Sequence, residues 1–75
     1  MKFLKDLYYD KLENAVEDKK LLKAAGFIKG KKIIIPKGTE ILKINKYGGA
    51  NEYIMKNNGI KIAMDLFIED ENIIK

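Results

Sequence analysis

Residues 53–64 read YIMKNNGIKIAM, with apolar side chains on both sides of an Asn-Gly dipeptide and one lysine on each arm, Lys56 and Lys61. Asn-Gly favours a two-residue type I′ turn, in which both central residues need positive φ. Such a turn at Asn58-Gly59 pairs Asn57 with Ile60, Met55 with Ile62 and Tyr53 with Met64. Successive strand residues point to opposite faces. Tyr53, Met55, Ile60, Ile62 and Met64 then share one face, and Lys56 and Lys61 sit opposite each other on the other, beside Ile54 and Ala63. A three-residue loop would pair Met55 with Lys61 and spoil the apolar face. Facing lysines repel, but solvent screening keeps that cost small. The stretch therefore predicts a hairpin with one core face and one wet face.

Upstream of the hairpin, Thr39 to Tyr47 reads as a strand, with Leu42 and Ile44 on one face and Lys43 and Asn45 on the other; Gly48-Gly49-Ala50-Asn51 reads as a loop. Ile33-Ile34-Ile35 is too short and too β-branched for a helix and stops at Pro36. Ile35-Pro-Lys-Gly38 suits a type I turn. Leu66-Phe67-Ile68 predicts a last strand or a short turn, and Ile73-Ile74 a closing strand after the acidic break at Glu69–Asn72.

Before Lys31 the period is helical. Leu4, Leu7, Tyr8, Leu12, Ala15 and Val16 recur at three- and four-residue steps and predict a helix over residues 2–17. Asp18 can cap a second, shorter helix holding Leu21, Leu22, Ala24 and Ala25; a single bent helix is the alternative. Gly26 fits the left-handed position after a helix end, where Phe27 would pack back on Leu22. The expectation is one α+β domain over residues 1–75. Residues 1–26 are helical, as one helix or a helix pair, and residues 31–75 form a 4–5-stranded antiparallel small barrel or curved sheet.

IPKGTEILKI, a Gly loop, EYIMKNNGIKIAM and DLFIED follow one another in an order that resembles the SH3-like small barrels of bacterial and phage proteins, over residues 31–75. The resemblance implies an SH3-like barrel. The aromatic cluster of the eukaryotic peptide-binding members is missing, since the chain has no tryptophan and only Tyr47 and Tyr53 lie nearby, which argues against proline-rich ligands. Separately, LKAAGFIKGKKIIIP (residues 22–36) is similar to the AGF segment of SymE-like toxins, which implies an AbrB-like fold.

A 75-residue chain buries only about 60% of its unfolded surface. With no cysteine and no histidine, it lacks disulfides, thiolate metal sites and the commonest metal ligand and general base. All 15 basic residues are lysine, and Lys, Ile and Asn dominate the composition, as AT-rich coding produces. That points to a low-GC bacterium, its phage or a mobile element. The chain has no apolar run long enough to span a bilayer, and its first residues meet Asp6 and Asp10 too soon for a signal core, so a cytoplasmic protein without membrane contact is expected.

Enzyme chemistry has little to draw on. Thr39 stands at a strand start with no base to activate it, and Asp65, Glu69, Asp70 and Glu71 read as solvated charge. Gly48-Gly49 is no phosphate loop. A chain this short also has little room for a substrate pocket of the roughly 300 Å³ class. No enzyme activity, cofactor or metal site is expected.

Charge is uneven. Residues 1–18 are net −2, residues 19–46 carry nine lysines against Glu40 alone, and residues 65–75 are net −3. Lys29, Lys31, Lys32 and Lys37, with Lys43, Lys46 and Tyr47, form the candidate binding set. The expected function is a non-catalytic protein-binding module, in the manner of a phage or mobile-element accessory protein that inhibits a host enzyme or defence complex (anti-CRISPR-like) by occupying its surface. The alternative is nucleic-acid binding through the lysines of residues 19–46, without base specificity because arginine is absent. The apolar face of the N-terminal helix could also form a homodimer surface.

Overall fold

The fold is given by a computed structural model, which describes residues 1–9 and 19–75. Its elements run β1 (Leu7–Tyr9), α1 (Lys19–Ala24), β2 (Ile28–Lys29), β3 (Lys32–Ile35), β4 (Glu40–Asn45), β5 (Asn51–Asn57) and β6 (Ile60–Leu66). The strands form two three-stranded antiparallel sheets, ordered β1-β3-β2 and β4-β5-β6. A 3-10 turn at Glu71–Ile73 follows.

The β5–β6 hairpin forms in the register its turn dictates. Asn57 pairs with Ile60, Met55 with Ile62, Tyr53 with Met64 and Lys56 with Lys61. Asn58 has φ 51° and Gly59 φ 75°, the two positive values of a type I′ turn. Tyr53, Met55, Ile62 and Met64 are buried, while Lys56 and Lys61 are exposed. Glu40 of β4 stands across from Lys56 and so brings an acid to the row of two lysines.

The expected α+β architecture is not what forms. Residues 2–9 are not helical: Lys2 and Phe3 bridge to Glu40 and Ile74, Leu4 and Lys5 bend, and Leu7–Tyr9 is a strand. Leu12, Ala15, Val16 and the proposed Asp18 cap lie outside the described residues. The reason for the difference is pairing. Leu7, Tyr8 and Tyr9 match Ile35, Ile34 and Ile33 residue for residue, and aromatic and β-branched side chains suit a pleated surface better than a helix. The strands beyond residue 31 do not make one 4–5-stranded barrel or sheet: β4, β5 and β6 form a three-stranded sheet, and β3 leaves them to pair with β1 and β2. Among the described residues the one α-helix is α1, six residues long.

The end of α1 follows the sequence. Gly26 has φ 82°, its N–H donates to the Lys23 carbonyl, and the Phe27 N–H donates to the Leu22 carbonyl at 2.8 Å. These are the two bonds of a Schellman motif, and they bury Phe27 and Leu22 together. Two local details differ from expectation. The turn after β3 spans Pro36–Thr39, not Ile35–Gly38, because Gly38 at φ 88° takes the third position that a type II turn reserves for glycine. In β4 a bulge falls at Leu42, so Ile41 and Ile44 face inward and Leu42 is 45% exposed.

The two sheets share one core. Ile33 and Ile35 come from the first, and Ile41, Tyr53, Met55, Ile62, Met64 and Leu66 from the second. Phe3, Leu22, Phe27 and Ile73 close it, and the Phe3 ring lies 6.2 Å from that of Tyr53. The first residues are threaded between two partners. Phe3 N–H donates to the Thr39 carbonyl and Ile41 N–H to the Met1 carbonyl, while Lys2 and Lys75 exchange two bonds. No helix among the described residues is long and apolar enough to cross a membrane.

Candidate functional site

The β2–β3 hairpin builds the densest part of the candidate set. Lys29 and Lys32 face each other across the two strands, and Lys31 sits in the two-residue turn between them. Gly30 leads that turn at φ 63° and Lys31 has no positive φ, the requirement of a type II′ turn. Glycine is what lets the strands reverse within two residues, so three ammonium groups project from one tip.

Tyr8 completes this tip and was not among the residues singled out from sequence. It lies on β1, pairs with Ile34, and is 51% exposed. The Lys29 ammonium sits 5.9 Å from the centroid of its ring, within cation–π range. Alternation places Tyr8, Ile34, Lys29 and Lys32 on the face of the first sheet that points away from Ile33 and Ile35. Ile34 is nevertheless only 8% exposed. The signal for Tyr8 was the Tyr8-Tyr9 pair, which favours a strand; a helical reading of residues 2–17 hid it.

The remaining members are not gathered here. Lys37 lies beyond the far end of β3, roughly 15 Å of extended chain from Lys32. Its side chain is exposed and its backbone N–H donates to the Asp6 carboxylate at 2.6 Å. Lys43 stands on the outer face of β4 opposite Ile54. Lys46 and Tyr47 follow the end of β4, where the Tyr47 N–H donates to the Asn51 side chain at 3.2 Å and the ring is 69% exposed.

Two surface clefts reach or exceed the volume that the chain length argued against. One of about 430 Å³ is lined by Met1, Ile44, Lys46, Asn51, Tyr53 and Ile74. The other, of about 300 Å³, includes Leu7, Tyr9, Phe67 and Ile73 together with Lys5, Glu69 and Asp70. Burial raises the Tyr9 phenol above its ordinary value of 10.0, and the nearby Tyr53 phenol adds to the rise. Thr39, the hydroxyl weighed as a nucleophile, is fully buried and donates to the Pro36 carbonyl at 2.7 Å, which holds the turn. Among the described residues no three acidic side chains converge as a metal site would require.

Comparison with protein-family models, curated proteins and solved structures finds no significant match.

Proposed function

We propose that this chain is a small non-catalytic protein-binding module that acts by covering an acidic surface of its partner, as an inhibitory accessory protein of a phage or mobile element does. The observation that supports this reading is the β2–β3 tip, where Lys29, Lys31 and Lys32 stand within one tight hairpin beside the exposed Tyr8 ring. A compact basic tip with an aromatic neighbour suits a carboxylate-lined depression, where charge sets encounter rate and register and the ring supplies contact area. Lys37, Lys43 and Lys46 lie on other parts of the molecule and do not join this tip.

A second reading is nucleic-acid binding. It draws on Lys46 beside Tyr47, whose exposed ring could stack on an unpaired base. One pair of experiments separates the two. Affinity capture from host lysate, with identification by mass spectrometry, should retain an acidic protein on the wild-type chain and lose it on a Lys29→Glu, Lys31→Glu, Lys32→Glu variant. Titration with random duplex and single-stranded oligonucleotides should show no binding at low salt. Micromolar oligonucleotide binding that weakens steeply with salt would instead support the second reading.

A further inference from the structure

Among the described residues no strand pairs with the outer edge of β6. In a two-residue hairpin the residues flanking the turn form a hydrogen-bonded pair, so the backbone groups of Ile60, Ile62, Met64 and Leu66 point to β5. Those of Lys61, Ala63 and Asp65 then point away from the sheet. Among the described residues no hydrogen bond engages them, and all three side chains are exposed. The opposite edge of the same sheet is different, because Met1–Phe3 bonds along residues 38–41 and fills it. An unpaired edge is a template for another strand.

The sequence of this edge is complementary to itself. We propose that β6 pairs antiparallel with β6 of a second copy of this chain, about a two-fold axis at Ala63, joining two sheets into one continuous sheet. In this register Lys61 faces Asp65 of the second copy, and Asp65 faces its Lys61. The contact is isologous, so each favourable charge pair occurs twice. The outward backbone groups of all three residues are satisfied together, in about six N–H···O bonds. Phe67, 63% exposed, is brought toward Gly59 of the second copy, where a Cβ built on the glycine would meet no described residue beyond its chain neighbours within 4 Å.

Other registers are selected against. Centring the axis on residue 61 sets lysine against lysine, and centring it on residue 65 sets aspartate against aspartate. The intermediate alignments leave the charges facing Ala63 or residues outside β6. Ala63 at the axis is small and uncharged, so it adds no like-charge contact there. The edge lysine, a usual guard against strand addition, thus excludes most partners while admitting this one. These residues are separate from the lysine tip, so the pairing goes beyond the partner-binding reading and can fail or hold without it.

Sedimentation velocity of the full chain from about 10 µM to about 1 mM covers the range expected for so short an interface. A reversible dimer is expected within it. Lys61→Asp and Asp65→Lys should each weaken the dimer on the order of tenfold, because each replaces two opposite-charge pairs by like-charge pairs. The double variant K61D/D65K should recover the wild-type constant to within about threefold. Ala63→Pro, at an edge position whose N–H faces solvent, should leave the monomer's circular dichroism unchanged and abolish the dimer. A chain still monomeric at about 1 mM overturns the proposal. So does a dimer indifferent to the single reversals, or one not rescued by the double variant.

Discussion

The two sheets of this molecule are built from different kinds of information. β4-β5-β6 consists of strands of six and seven residues joined in sequence order, and its hairpin is set by an Asn-Gly turn and a period of two. β1-β3-β2 consists of strands of three, four and two residues, and its pairing of Leu7 with Ile35 spans most of the first half of the chain. The first kind of sheet forms wherever local turn chemistry and alternation agree. The second forms only when the core brings distant segments together, since closing a long loop must be repaid by contacts that local preference does not supply. Both then depend on one shared core, so the difference lies in how each sheet is specified more than in how much each is buried.

That comparison predicts its largest effect where the sheets meet. Ile35→Ala in the first sheet and Met55→Ala in the second should each cost about 2–5 kcal/mol, because both side chains are fully buried. Urea unfolding should show a single transition in both variants. A two-step transition in either one would mean that the sheets are separate units and would break the idea of one core.

The two glycine turns sharpen the contrast. Gly59→Val should cost about 1–2 kcal/mol, since a β-branched residue is strained at positive φ and the turn fixes the register of a long hairpin. Gly30→Val meets a stricter backbone restriction, since the first position of a type II′ turn lies in the mirror-β region rather than the left-handed helical one that Gly59 occupies. It should nevertheless cost less in urea unfolding, because β2 is only two residues long and has little register to lose. A larger loss at Gly30 would show that the short hairpin organises the first sheet.

The smallest effect is on pH. The fold favours the neutral Tyr9 phenol, so its contribution is complete below the ordinary value of 10.0 and declines as pH rises from there toward the raised one. Melting temperatures followed from about pH 8 to about pH 11 should fall less in Tyr9→Phe than in wild type. Equal slopes would mean that Tyr9 is no more buried than the exposed Tyr8.

Residue by residue, legibility followed distance along the chain. Asn58-Gly59 announced its own turn, and Leu22, Gly26 and Phe27 announced the end of α1, because each pattern closes within a few residues. Leu7, Tyr8 and Tyr9 did not announce a strand. Their spacing with Leu4 fits a helix equally well, and only their pairing with Ile33–Ile35 decides between the two. Leu42 misled in the same way: alternation turned it inward, and a bulge that the sequence does not mark turned it out. Of the candidate site, Lys29, Lys31 and Lys32 were found because they are close in sequence. Tyr8 was missed because it joins them only through the β1–β3 pairing.

The sequence by itself determined the hairpin register, the helix stop and the absence of thiol and imidazole chemistry, all matters of composition or of neighbours a few residues apart. Tertiary structure alone decided that the N-terminal segment is not helical, that the strands divide into two sheets, and which lysines share a tip with an aromatic ring. The physical reason is that a short apolar segment fits more than one secondary structure. Burial against a distant partner, here β1 against β3, selects among them.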